Sequence, residues 1–209
     1  MTMEHNMMDF DARAATWDSD PAKVSRALAV AAAIRNRVAT GQSTRVLEYG
    51  CGTGLLGFAL QPHCGHITLA DSSAGMLATL QGKIATSGAN NLQALRLDLV
   101  SDPLPAERFD LICSLMTFHH VADTARLLRD LHTLLDTRGH LCVADLDSED
   151  GSFHGPGFTG HLGFDRAALA GEAQAAGFQD IDFSTVYHVS KPESAGQTDF
   201  PIFLMVARK

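Results

Sequence analysis

Residues 46–57 read VLEYGCGTGLLG. The apolar pair Val46-Leu47 runs into an acid at Glu48, and four glycines follow at Gly50, Gly52, Gly54 and Gly57. Glycine costs roughly 0.5–1 kcal/mol against alanine in regular structure, and is tolerated where the chain needs positive φ or where other atoms lie against the main chain. A strand ending in such a turn predicts a loop that cradles a ligand, followed by a helix.

The flanking chain repeats the rhythm. Pro21 suits the first turn of a helix, and apolar residues at three- and four-residue spacing carry it to Val38. HITLAD (66–71), NLQALRLD (91–98), FDLICSL (109–115) and HLCVADL (140–146) read as further strands. Ser72 or Ser73 can cap a helix ending near Gly88, and Asp165 caps another ending at Gly177. VADTARLLRDLHTLLD (121–136) is the clearest amphipathic helix. Apolar strands without alternation, separated by helices, require a parallel sheet buried on both faces. The last two strands, near 180–189 and 200–207, are joined by SKPESAGQTD. That link is too short for a crossover helix, so the pair is antiparallel.

With 209 residues the chain suits one domain, 1–209, in which 1–40 form an N-terminal lid and helix. Its formal net charge is −8 and no Lys/Arg cluster occurs, which argues against nucleic acid as the main partner. No apolar stretch reaches the ~20 residues of a membrane span, and the first residues lack a basic-then-apolar leader. Four cysteines without a CxxC pair suit a reducing, cytoplasmic setting. No metal site is expected. The ten histidines form no HxxxH or HExxH, and His63 and His66 fall on the wrong side of the sheet.

The loop fits two fingerprints. Gly52 to Gly57 matches GxGxxG with Asp71 roughly 20 residues on, as in a dinucleotide site. Shifted by two, Glu48 to Gly54 gives an acid followed by GxGxG. An acid at Glu48 would repel a pyrophosphate on the helix N-terminus, yet would welcome a ligand carrying an ammonium. The closing hairpin is also foreign to an all-parallel dinucleotide sheet. An NAD(P)-dependent oxidoreductase, and a cofactor-binding protein without chemistry, stand as the alternatives.

The segments LEYGCGTG, LADSSAGML, RLDL, FDLICSLMTFHHVAD and PIFLMVARK together carry a family resemblance. From about Phe10 to Lys209 the chain resembles the class I S-adenosylmethionine-dependent methyltransferases. Within them it is similar to the small-molecule branch that includes ubiquinone and menaquinone biosynthesis enzymes. The resemblance implies an α/β, Rossmann-like three-layer sandwich. Its seven-stranded, mostly parallel sheet would have the last strand antiparallel between the fifth and sixth. It implies S-adenosyl-L-methionine as cofactor, S-adenosyl-L-homocysteine as product and a small-molecule acceptor. Glu48 and the backbone of Gly50, Gly52 and Gly54 would hold the methionine end, with main chain at Ser114 and Leu115 near the ammonium. Asp71 would accept the ribose hydroxyls, Ser72 and Met76 would lie at the adenine, Asp98 would accept the adenine amino group and the Leu99 N–H would donate to the ring. Asp71-Ser72 departs from the family's usual Asp-Ile or Asp-Leu, which weakens the adenine sandwich.

His119 and His120, just past the fourth strand, are the candidate proton acceptors, one facing the pocket and the other capping or packing. The loop 147–164 carries Phe153, His154, Phe158 and His161 and is read either as an acceptor wall or as a surface excursion. Trp17 belongs to a segment read as a lid over the cofactor or as a pinned tail. The absence of a (D/N)PP(Y/F) signature disfavours nucleic-acid and protein substrates.

Overall fold

The computed structural model describes residues 10–191, 196 and 198–209. Helix α1 spans Pro21–Arg37, α2 Leu55–Leu60, α3 Ala74–Ser87, α4 Thr124–Leu134 and α5 Arg166–Ala175. Strands are β1 Arg45–Tyr49, β2 His66–Asp71, β3 Leu92–Arg96, β4 Phe109–Leu115, β5 Leu135–Leu146, β6 Gln179–Ser190 and β7 Asp199–Arg208. Residues 1–9 of the expected lid lie outside the described residues, as does most of the link between β6 and β7.

The sheet order is β3-β2-β1-β4-β5-β7-β6. β1 to β5 run parallel, while β7 pairs antiparallel with both β5 and β6. The expected closing hairpin and the insertion of the last strand are both present.

Side chains from successive strand residues go to opposite faces, so apolar strands feed two cores. Val46, Ile67, Leu69 and Leu111 pack with Ala27, Val30 and Ile34 of α1 and with Leu56 and Leu80 on one face. Leu47, Ile112, Val143 and Phe203 pack with Leu127, Leu128 and Leu131 of α4 and with Leu169 of α5 on the other. Burying one such side chain contributes roughly 1.5–3 kcal/mol, so the three layers hold together through many equivalent contacts. Ser73 and Asp165 cap as the sequence signals, and Asp20 and Asp123 add two caps it does not single out. Asp20, Ser73, Asp123 and Asp165 each accept a backbone N–H from the first turn of α1, α3, α4 and α5, and Gly88 closes α3 in a left-handed conformation.

One boundary differs. α4 stops at Leu134 rather than 136, and Leu135 already pairs with Phe109 in the sheet. Leu135 is buried, and drawing it into the sheet forces a register shift before Leu111 meets His140. All four cysteines are free and buried. Among the described residues no helix is long and apolar enough to cross a membrane.

Candidate active site

Strand order reverses between β1 and β4, and open parallel sheets bind ligands at such a crevice beyond the strands' carboxyl ends. On the β1 side the glycine loop fills this position. Gly50, Gly52 and Gly54 have φ of 70, 54 and 82°, values that L side chains rarely adopt. A Cβ on Gly50 would stand 2.3 Å from the Thr117 side chain, and one on Gly54 2.7 Å from Leu80. The loop is thus wedged between the β4 turn and α3. Ser114 Oγ donates to the Tyr49 carbonyl (2.8 Å) and Thr117 Oγ1 to that of Gly50 (3.2 Å), stitching the two strand ends together. Met116, beside them, holds a φ of 57° without being glycine. Such strain persists where surrounding structure over-determines it, and it clusters at functional sites.

Asp71 ends β2 and faces the loop. Its Oδ2 accepts the Gly52 N–H at 2.7 Å and its Oδ1 accepts the Ser73 N–H at 2.9 Å. Burial pushes its carboxyl up, and these N–H groups oppose the shift. Ser72 is half-buried beside it, while Met76 is sealed and approaches Gly52. Asp71, Ser72, Met76 and the loop therefore form one wall, which Leu115, half-buried at the end of β4, adjoins. Asp98 and Leu99 sit after β3 in a tight turn. The Asp98 carboxylate accepts the Val100 N–H (2.9 Å) and the Ser101 hydroxyl (3.0 Å), and the Leu99 N–H faces the Tyr49 hydroxyl. The Leu99 N–H is thereby committed, while each Asp98 oxygen keeps a lone pair for a further donor.

Glu48, expected as the acid that receives a cationic ligand, lies deep beneath the loop. It is 2% exposed, beneath the loop and beside Gly57, and its Oε2 has no hydrogen-bond partner. Burial pushes its pKa to about 8, with Asp71 adding to the shift and the Gly57 N–H and Lys83 opposing it. The closure of α2 over the strand end is the physical reason. Without a cation above the loop, burial biases this acid toward its protonated form near neutral pH.

Residues 10–19 form helical turns that strap the loop from outside. Asp18 accepts the Thr53 hydroxyl and pairs with Lys83, which also donates to the Thr53 carbonyl at 2.7 Å. Asp11 accepts the Gly75 N–H at 2.8 Å and the Ser73 hydroxyl. The Trp17 indole nitrogen lies 3.9 Å from where a Gly52 Cβ would be. Phe10 sets its ring edge-on to His120 at 5.2 Å and to Trp17 at 6.0 Å.

On the β4 side the turn after Leu115 presents His119 and His120 to the same crevice. His119 is buried, and its Nδ1 stands 2.6 Å from Asp145 Oδ1. Burial alone would push the Asp145 carboxyl up, but the His119 ring and the Leu146 and His119 backbone N–H groups hold it below the usual range. Sequence reasoning misses Asp145, although an acid within the apolar run HLCVADL is the signal that identifies it. His120 Nδ1 is buried without a partner, and burial beside His119 and His154 pushes its pKa down to about 3.

The loop 147–164 returns to its origin through Ser148 N–H to Phe164 O (3.1 Å) and Glu149 N–H to Leu162 O (3.0 Å). The ion pair of Arg166 with Asp147 clasps its base. It touches the histidine turn through His161 N–H to the His119 carbonyl at 2.8 Å. A Cβ on Gly160 would stand 2.2 Å from that carbonyl, so only glycine admits the approach. The loop delivers His154 and Phe158 to the site. Their rings stack at 3.9 Å, His154 lies 4.9 Å from the His119 ring, and Phe158 lies 5.5 Å from that of His120. Burial pushes the His154 pKa down to about 4, with His119 and Lys191 adding to it.

Two expected acceptor residues stand apart from this group. His161 bonds the Val121 carbonyl at 3.0 Å through Nε2 and packs on Phe164, so its ring serves the loop's anchorage. Phe153 packs behind His154 against Phe200 and under Lys191. The histidines also bear on the expectation that no metal cluster exists, which rested on local spacing. The fold gathers His119, His120 and His154 from two distant segments, with one ligand nitrogen of each within 4.8 Å of the others.

The sheet order, the acid-and-glycine loop and the acid ending β2 define a class I S-adenosylmethionine-dependent methyltransferase fold. The comparisons agree with that fold, and the chain is similar to members of that family. A model described as a methyltransferase domain matches residues 46–139. An uncharacterized methyltransferase of Schizosaccharomyces pombe is 31% identical over 140 residues, covering 64% of this chain and 48% of that protein. The ubiquinone biosynthesis O-methyltransferase of Marinobacter nauticus is 30% identical over 111 residues, covering 52% of this chain and 47% of that one. The chain thus spans about half the length of the curated relatives it matches. In fold it is similar to an S-adenosylmethionine-dependent methyltransferase from Aquifex aeolicus, with a TM-score of 0.68, 18% identity and coverage of 93% and 97%.

Proposed function

We propose that this chain transfers a methyl group from S-adenosyl-L-methionine to a small-molecule acceptor. One observation carries the reading: an acid-and-glycine loop and a buried His119–Asp145 pair meet at the same sheet edge. The residues fit the cofactor. Glu48 has an unpartnered buried oxygen beneath the loop, and a cationic ligand above it would draw out its charged form. Asp71 uses one lone pair on each oxygen for backbone, and an ionised carboxylate has about four sites, so two remain for ribose hydroxyls. Gly50, Gly52, Gly54 and Leu115 would hold the methionine end, Ser72 and Met76 the adenine, and Asp98 would accept the adenine amino group through its remaining lone pairs, while the Leu99 N–H would join only by leaving the Tyr49 hydroxyl.

When bound, the cofactor supplies an electrophilic methyl on a sulfonium, open to in-line displacement. The chain's task is then positioning and exclusion of water. Asp145 fixes His119 with Nδ1 committed, which leaves the Nε2 lone pair to receive a proton from the acceptor. His120, His154 and Phe158 wall the acceptor side, and Phe10 and Trp17 cover both ligands. Aromatic walls suit a flat or apolar acceptor. In this reading residues 1–209 act as one methyltransferase domain with 1–40 as lid and helix. Its setting is cytoplasmic, supported by four free buried thiols, and the net charge of −8 supports a partner other than nucleic acid.

Calorimetry with S-adenosylhomocysteine and with NAD(P), followed by a metabolite screen for cofactor turnover, tests the proposal. Expected are heat from S-adenosylhomocysteine, no competition by nicotinamide cofactors and turnover with a small acceptor. Tight NAD(P) binding with no heat from S-adenosylhomocysteine would return the oxidoreductase alternative.

A further inference from the structure

We infer that His119, His120 and His154 together bind one divalent transition-metal ion of the zinc kind on the acceptor side of the cleft. The site stands on geometry alone; its use in methyl transfer rests on the function proposed above.

One nitrogen from each ring already lies within 4.8 Å of the other two. Zinc–imidazole bonds of ~2.0–2.1 Å in a tetrahedron separate the nitrogens by about 3.3 Å, so the rings must close by roughly an ångström or more. His154 is the member able to give. It is exposed, and glycines at 151, 155 and 157 with φ of 92, 80 and 90° flank it.

Two further observations point to an ion. Asp145 takes His119 Nδ1, leaving Nε2 as the available ligand, and a carboxylate behind a histidine is how metal-bound imidazoles are oriented. His120 Nδ1 is buried with no partner, and an ion would satisfy it.

The surroundings also set what the ion carries. Arg26 lies within electrostatic reach of Asp145, and Lys191 and Arg13 within reach of His154. These cations oppose a bare dication and favour one bearing an anion. Three protein ligands leave a zinc-like ion an open position, and a deprotonated acceptor oxygen is the anion the reaction would place there. In the loaded protein the His119 lone pair is committed to the ion. The ion would then take over from His119 as the activator, lowering the pKa of a bound acceptor hydroxyl whose proton would leave to solvent.

The test uses the full chain without a histidine tag, titrated with Co²⁺ by visible absorption and with Zn²⁺ by calorimetry. One equivalent should bind, with cobalt bands of imidazole ligation. His154→Ala should weaken binding at least tenfold while S-adenosylhomocysteine affinity holds, and His188→Ala, on the surface against Asp199, should leave metal affinity unchanged. No stoichiometric uptake, or wild-type affinity in His154→Ala, overturns the site. Heat from S-adenosylhomocysteine without metal uptake would remove the ion and spare the methyl-transfer reading; metal uptake without that heat would do the reverse.

Discussion

His119 Nδ1 and Asp145 Oδ1 lie 2.6 Å apart, and both side chains are sealed from solvent. A buried carboxylate fixes which imidazole nitrogen carries the proton and how the ring is aimed. Asp145→Asn keeps the shape and removes the charge. Turnover should fall about 10–100-fold, as for other residues that orient a reacting histidine, with S-adenosylhomocysteine affinity within twofold of wild type. Steady-state kinetics beside calorimetry separates the two, and unchanged turnover would reduce the pair to packing.

Asp71 holds Gly52 and Ser73 as well as the proposed ribose. Asp71→Ala is therefore expected to weaken cofactor binding by roughly 2–4 kcal/mol, since hydrogen bonds to charged groups are worth about 1.5–3 kcal/mol each. The melting temperature should also fall as two backbone donors lose their partner. Wild-type affinity in calorimetry would place the ribose elsewhere.

Trp17 is the chain's single tryptophan, and its indole nitrogen approaches Gly52. Titration with S-adenosylhomocysteine should therefore shift its emission, and Asp18→Ala, which frees the strap from Thr53 and Lys83, should speed ligand dissociation several-fold. Emission that ignores saturating ligand would remove residues 10–19 from the cofactor.

Glu48 and His120 set opposite pH slopes. The folded chain holds Glu48 at about 8, above its unfolded value of roughly 4.3. It then binds the extra proton, and stability falls as pH rises through that window. The folded chain holds His120 at about 3, below its unfolded value of roughly 6.5, so the unfolded chain binds the extra proton and stability rises with pH. Between pH ~4.5 and ~6.5 these two slopes offset each other, and His154, held at about 4, adds a further rise. From pH ~6.5 to ~8 Glu48 acts alone, lowering stability by on the order of 2 kcal/mol, or several degrees in melting temperature. Glu48→Gln should flatten that decline, and thermal melts at pH 6.5 and 8 will show whether it does.

The sheet was legible because β2, β4 and β7 have largely apolar centres, and four of the five helices carry a side-chain cap. Ser73, Asp165 and Gly88 mark boundaries through local chemistry that a sequence displays directly. The α4–β5 boundary was not legible, since Leu135 joins the sheet through pairing with Phe109, a residue remote in sequence. The same limit governed the site. The glycine loop and Asp71 are adjacent features of one strand-turn-helix signature, so their meeting could be anticipated. The histidine cluster depends on a loop returning across the β4 turn through Gly160, and no spacing rule encodes that. Nor does position reveal that Glu48 is buried, because α2 covers it only once the fold has closed.

Cys51 lies within the glycine loop, where the proposed cofactor would set a sulfonium. Thiolates are the chain's strongest soft nucleophiles, and such a neighbour invites self-alkylation. Burial pushes the Cys51 thiol well above its ordinary range, and Glu48 and Asp71 add to the shift. Cys113 is held protonated in the same way, and Cys142 is pushed up to about 12. Burial, with the acid under the loop adding to it, thereby keeps the protein from being alkylated by its own reagent. A charge-removing change at Glu48 would make Cys51 more acidic, and mass spectrometry after long incubation with the methyl donor would read the damage as a single added methyl group.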